Sequence, residues 1–342
     1  MQQYYNPTQQ LPSTPQQFSP APQQQYFEKK KLRSLGNLAG YCILAFFLVS
    51  NLLAVPLLLP SLNERFGLTD LLENNVRFSA AFYTFASVLG IFVPFMLLFL
   101  LQRKRGQGRF EVIGKAYSKS LVVLTIPVGM LVSLGANYVT SMFVTLVEDS
   151  GVTLLSPEFS TEYSLGGAAM MVLQVAIIPA IVEEFAMRGV MLQALRRYGD
   201  WFAVGVTSVL FAVMHGNLVQ APFALILGFA LGWLVLMTGS LWAGILIHFF
   251  SNFYAVVMMI LTDRFGMENP GIERAAGIIF FAIVISGVLC CAALFFRLRG
   301  RRLCPPCVTL RPVARHTAFW LNPGMLLALA VMMVTTWMSV KR

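Results

Sequence analysis

The chain has 342 residues, 57% of them hydrophobic and only 12% charged, with a formal net charge of +10 at pH 7. Soluble domains carry about 25% charged residues, so a water-soluble globule is excluded. The basic excess lies in loops between apolar runs, where it orients membrane helices, so no nucleic-acid partner is needed.

Residues 1–34 begin the chain with "MQQYYNPTQQLPSTPQQFSPAPQQQYFE", which is Gln/Pro-rich and too polar for a signal peptide. The segment reads as a disordered cytoplasmic tail. The "EKKKLR" that closes it is a juxtamembrane basic cluster, read as a topology anchor rather than a specific lipid site.

Residues 35–342 read as a transmembrane helical domain. Apolar runs of about 18–25 residues cross a hydrocarbon core of about 30 Å. Such runs recur near 37–60, 79–102, 119–147, 167–194, 202–216, 220–237, 240–262, 275–296 and 320–339. The fifth and sixth are short, which gives eight or nine transmembrane helices in an all-α, polytopic membrane protein.

Charge orients these spans. Lys29, Lys30, Lys31 and Arg33 precede the first, and Arg103, Lys104, Arg105, Arg109, Lys115 and Lys119 follow the second. Arg196 and Arg197 follow the fourth, and Arg297, Arg299, Arg301, Arg302, Arg311 and Arg315 follow the eighth. With nine spans all of these share one side, which the positive-inside rule places in the cytoplasm of a cell membrane together with the amino terminus. The opposite loops are acidic, as in "VEDSGVTLLSPEFSTEYS". Cys42, Cys290 and Cys291 fall in apolar spans and read as packing residues. "CPPC" at 304–307 is a single CxxC, half of a zinc ligand set, with His316 the only nearby histidine.

Of the 15 carboxylates only Glu183 and Glu184 fall inside spans, along with Arg188, His215 and His248. Each intramembrane charge costs roughly 2.5–3.5 kcal/mol on insertion scales, so a cluster of them marks a functional site. Glu184 and Arg188 are four apart and pair on one helix face. Glu183, about 100° around the helix, is left without an obvious partner and suits a general base. His248 and Asn252, one turn apart, project from the same face of another helix. At about 1.5 Å per residue, Glu183 and His215 lie about 20 Å deep and His248 and Asn252 about 12–18 Å deep. Span five ends so soon that it must stop within the bilayer or line a wet cavity.

These residues fall in three ordered motifs: "EEFAMRG" fits EExxxR, "FAVMH" fits FxxxH and "HFFSN" fits HxxxN. Together they resemble the CPBP family of intramembrane proteases, which includes type II CAAX prenyl endopeptidases and Abi-like bacterial proteins. The matching core covers about 165–258. The resemblance implies an intramembrane glutamic-type endopeptidase that hydrolyses a membrane-associated protein or peptide with no cofactor. In that scheme Glu183 deprotonates water, His215 helps hold it, and His248 and Asn252 donate to the oxyanion. Glu184 and Arg188 are supports, and Phe211 is packing. The same residues allow an alternative zinc-dependent reading, two His and one Glu around an open position, although HExxH is absent. A non-catalytic membrane scaffold or bacteriocin immunity protein is the reading from another class. A proton-coupled carrier would repeat the motif in two halves, and no repeat is visible.

Overall fold

The computed structural model describes residues 22–58, 60–104, 114, 116–155, 164–266 and 268–341. The apolar helices are α1 (Pro22–Leu58), α2 (Val76–Arg103), α3 (Lys119–Glu148), α4 (Leu165–Tyr198) and α5 (Asp200–Met214). They continue as α6 (Ala221–Thr238), α7 (Leu241–Phe265), α8 (Pro270–Leu298), α9 (Pro312–Trp320) and α10 (Pro323–Met338). Among the described residues seven helices are long and apolar enough to cross a membrane, or eight when α9 and α10 count as one bent span. The protein is a polytopic all-α membrane protein. The expected nine spans each find a counterpart, because α5 is the short fifth one.

Two of those counterparts differ from the expected spans. α1 starts at Pro22, so residues 22–34 of the expected disordered tail are helical. Leu32 and Leu35 continue the buried stripe of Ala39, Cys42 and Ile43 at helical spacing. Glu28 also anchors this extension, its Oε2 accepting from the backbone N and Oγ1 of Thr309 at 2.9 Å each. Residues 1–21 of that tail lie outside the described residues, as do Arg105, Arg109 and Lys115 of the second basic loop. The last expected span, 320–339, corresponds to α10, and across a 68° bend it is preceded by α9, a helix outside the expected spans. Pro323 cannot donate to a continuing helix, and Asn322 caps the new one by accepting from the N–H of Met325 at 3.0 Å. The fifth span is as short as expected: the fifteen residues of α5 extend about 22 Å, less than the hydrocarbon core.

Two apolar clusters hold the bundle together. One packs α1 against α10 and joins α2, α4 and α5 through Phe95, Met187, Met191, Leu195 and Leu210. The other packs α3, α6, α7 and α8 around Leu231, Leu234 and Ile247. With lipid outside, helix association depends on close fit rather than on the hydrophobic effect. Gly40 and Gly324 show such a fit, where α1 and α10 approach backbone to backbone.

Contacts between loops fix which helix ends share a side. Asp200 Oδ2 accepts from the backbone N of Cys304 at 2.9 Å, and Arg197 O accepts from that of Cys307 at 2.9 Å. Arg301 donates to Met237 O and stacks over Tyr117, whose backbone N donates to Thr238 O. The ends of α4, α6 and α8 therefore lie together with the starts of α1, α3, α5 and α9. On the opposite side a short antiparallel ladder pairs Thr153 with Lys341 and Leu154 with Val340, after α3 and α10 respectively. This alternation is the one that nine crossings require, and it gathers the basic loops on one side.

Candidate active site

The fully buried pair Glu184–Arg188 lies at the centre of four helices. Arg188 Nη1 donates to Glu184 Oε1 at 2.7 Å, the pairing expected from their spacing. Arg188 Nη2 donates to the Gly228 carbonyl of α6 at 2.9 Å, and its guanidinium carbon stacks 4.6 Å from the ring centroid of Phe211 on α5. His248 of α7 completes the set, with Nδ1 3.1 Å from Glu184 Oε1. Glu184 thus has two partners where the sequence suggested one. The helix is locally widened here, with a π-helical stretch over Phe185–Met191 that contains Arg188. Such widenings recur at functional sites.

Phe211 does more than pack. Its ring meets the His215 and His248 rings edge-on, at centroid distances of 5.0 and 5.8 Å, in addition to the Arg188 contact. One phenyl ring therefore touches a residue from each of the three motifs. Its carbonyl is also used, because His215 Nδ1 lies 2.8 Å from Phe211 O. A carbonyl can only accept, so Nδ1 carries the proton and Nε2 of a neutral ring holds a lone pair. His215 sits just beyond the end of α5, where Gly216 turns the chain at φ 64°. Asn217 stabilises that turn, donating to His215 O and accepting from the backbone N of Gln220 at 2.8 Å each.

Asn252 is one turn after His248, and its Nδ2 donates to Val175 O on α4 at 2.9 Å. His248 and Asn252, expected on one face of α7, both reach α4. Glu183 is half-buried and has no hydrogen bond or ion pair among the described residues. Burial divides the set. Glu184, Arg188, Phe211 and His248 are buried, whereas Glu183, His215 and Asn252 remain partly open.

Several partners here were not singled out from the sequence: the carbonyls of Val175 and Gly228, and Gly244. A Cβ at Gly244 would meet Glu184 Oε2 at 2.6 Å, so only glycine leaves room for the carboxylate. Among the described residues no three His, Cys, Asp or Glu side chains gather closely enough to hold a metal ion.

Residues 165–254 match the family model described as type II CAAX prenyl endopeptidase Rce1-like. The motif-bearing core is CPBP-like. The match covers all three motifs and the four helices that meet at Glu184. The chain is also similar to YdiL of Bacillus subtilis (strain 168), whose name describes a membrane peptidase. The two are 26% identical over 105 residues, which is 30% of this chain and 43% of that protein. The chain thus spans less than half the length of that relative. No solved structure matches the chain. In the CPBP-like core, α4 carries EExxxR, α5 FxxxH and α7 HxxxN, while α6 supplies the backbone that Arg188 grips.

Proposed function

We propose that the CPBP-like core is an intramembrane endopeptidase of the glutamic type, acting on membrane-associated proteins or peptides. The observation that carries this reading is the contrast between the two adjacent glutamates. Glu184 is committed to Arg188 and His248, whereas Glu183 is unpaired and partly open beside them. A carboxylate kept free at high cost in the membrane suits proton abstraction.

Glu183 takes a proton from a water held against the Nε2 lone pair of His215. The hydroxide attacks the scissile carbonyl carbon, and charge develops on its oxygen. The second N–H of the Asn252 amide donates to that oxyanion, as does His248 Nε2 when the ring is protonated on both nitrogens. Glu184 Oε1 lies against Nδ1 and fixes the orientation of the ring. One such donor is worth about 3–4 kcal/mol in comparable sites. Collapse breaks the C–N bond and passes the proton from Glu183 to the leaving amine, so one water is consumed per bond cut. The description of the matching family model, a CAAX prenyl endopeptidase, supports prenylated peptides as the substrate class. The basic side of the bundle would face the cytoplasm of the cell membrane.

The test compares protein termini in membranes of cells expressing wild type or Glu183→Gln at equal level. New termini dependent on Glu183 are the expected result. If no termini differ and Glu183→Gln still complements a deletion strain, a scaffold or immunity role replaces this reading. Stoichiometric zinc in the purified active protein would instead assign the water's activation to a metal held by the same side chains.

A further inference from the structure

We propose that Pro179 is a positioning residue for Asn252, acting through the backbone carbonyl of Val175; the inference rests on the endopeptidase reading above. In an α-helix the carbonyl of Val175 would accept from the backbone N–H four residues on, at position 179. Proline has no N–H, so that bond cannot form. The Asn252 amide donates to this carbonyl across the helix interface at 2.9 Å. Val175 lies in the other widened turn of α4, the π-helical stretch Val172–Ile177 that ends just before Pro179. Eight residues separate Val175 from Glu183, so the backbone defect and the proposed base share one helix.

The consequence for Asn252 is orientational. Rotating the amide by 180° would put Oδ1 against another oxygen, so the bond to Val175 O fixes which end is nitrogen. One N–H is spent on the carbonyl and the other remains available in a set direction. Preorganised donors stabilise developing charge without reorganising when it appears, which a freely turning amide cannot do. An ordinary residue at 179 would let this turn take α register, returning its own N–H to Val175 O in competition with Asn252.

The experiment is a double-mutant cycle on full-length protein in detergent, following the cleavage of Glu183-dependent substrates. Pro179→Ala should lower kcat about ten- to a hundredfold with KM little changed, the range for a misdirected transition-state donor. Asn252→Ala should lower kcat at least as much. In the Asn252→Ala background, Pro179→Ala should cost nothing further, because both changes act on one group. Independent, multiplying losses would show that Pro179 merely shapes α4 and would overturn the proposal. A second readout does not depend on catalysis. With asparagine selectively labelled with nitrogen-15, the side-chain NH2 resonance that is lost in Asn252→Ala should shift or broaden in Pro179→Ala. An unmoved resonance would overturn the positioning role even if no substrate is ever cleaved. Absence of Glu183-dependent cleavage by wild type, with the resonance shifted, would count against the endopeptidase reading and leave the Pro179–Asn252 linkage standing.

Discussion

Glu184 and Arg188 are both fully buried, so the membrane tolerates each only because of the other and of the groups around them. Removing one side of such a pair typically costs about 3–5 kcal/mol, because the remaining charge has no water to return to. Arg188→Ala should therefore lower the unfolding midpoint in detergent sharply, while Arg188→Lys should recover only part of the loss. Lysine has one charged centre, and cannot reach both Glu184 Oε1 and Gly228 O while stacking on Phe211. A stability for Arg188→Ala equal to wild type would remove the pair from the account of the fold. Gly244→Ala tests the same site by crowding: its methyl group would press on Glu184 Oε2, and about 1–3 kcal/mol of destabilisation is expected from overpacking. Thermal unfolding of the purified variants measures both. The Glu184–Arg188 pair was legible in the sequence because four residues is one turn of the same helix. The contact from His248 to Glu184 was not, since it joins residues 64 apart in the chain and depends on how α7 is rotated against α4. Asn252's partner lay between these cases. Pro179 inside an apolar run announces a carbonyl without its donor, but nothing local says which side chain will fill the vacancy.

At the scale of elements, the shortness of α5 and the loop that clamps its start belong together. α5 is a single rigid rod that ends at His215, so the position of His215 along the bundle is fixed by where the first residue of α5 is held. Asp200, the first residue of α5, is bound twice: by Arg196 Nε at 2.9 Å and by the backbone N of Cys304 at 2.9 Å. The "CPPC" segment therefore serves as a brace against the α4–α5 corner. The brace could not be read from the sequence, because it depends on loops from distant helices meeting. The Cys304 thiol is pushed above its ordinary range, first by burial and then by the negative charge of Asp200, with Arg196 opposing. Asp200→Asn removes one cause that disfavours the thiolate, so more thiolate exists at any given pH. Maleimide labelling of Cys304 at neutral pH should become faster, and its rate should rise at lower pH than in wild type. Peptide mapping of the labelled chain separates Cys304 from Cys307; unchanged Cys304 kinetics would show that Asp200 does not govern it. The same substitution loosens the brace, so α5 and His215 should show faster hydrogen exchange.

For the whole molecule, alternation of helix ends and placement of charge are separate facts that agree. Hydrogen bonds place the start of α1, the α4–α5 corner and the 301–309 loop on one side, and the 153–154 and 340–341 ladder on the other. Lys29, Lys30, Lys31, Arg196, Arg197, Arg297, Arg299, Arg301 and Arg302 crowd the first side. The number of helices and the grouping of basic loops were legible from hydropathy and charge because both signals are averages over many residues, which survive errors at any one boundary. The 68° break falls at the start of the expected last span, where Asn322-Pro323 marks it; the helix before it, α9, was not legible because Arg315 and His316 interrupt its apolar residues. Positive loops resist transfer across the bilayer, so the basic side should be cytoplasmic. Cys304 and Cys307 are exposed there, and Thr153 is exposed on the other side. An impermeant maleimide added to intact cells should leave Cys304 and Cys307 unlabelled and should label a Thr153→Cys variant. In inverted vesicles the pattern should reverse. Labelling of all three positions from outside would mean that α5 and the bent pair do not count as crossings, and the path by which a substrate reaches Glu183 would have to be redrawn from the other leaflet.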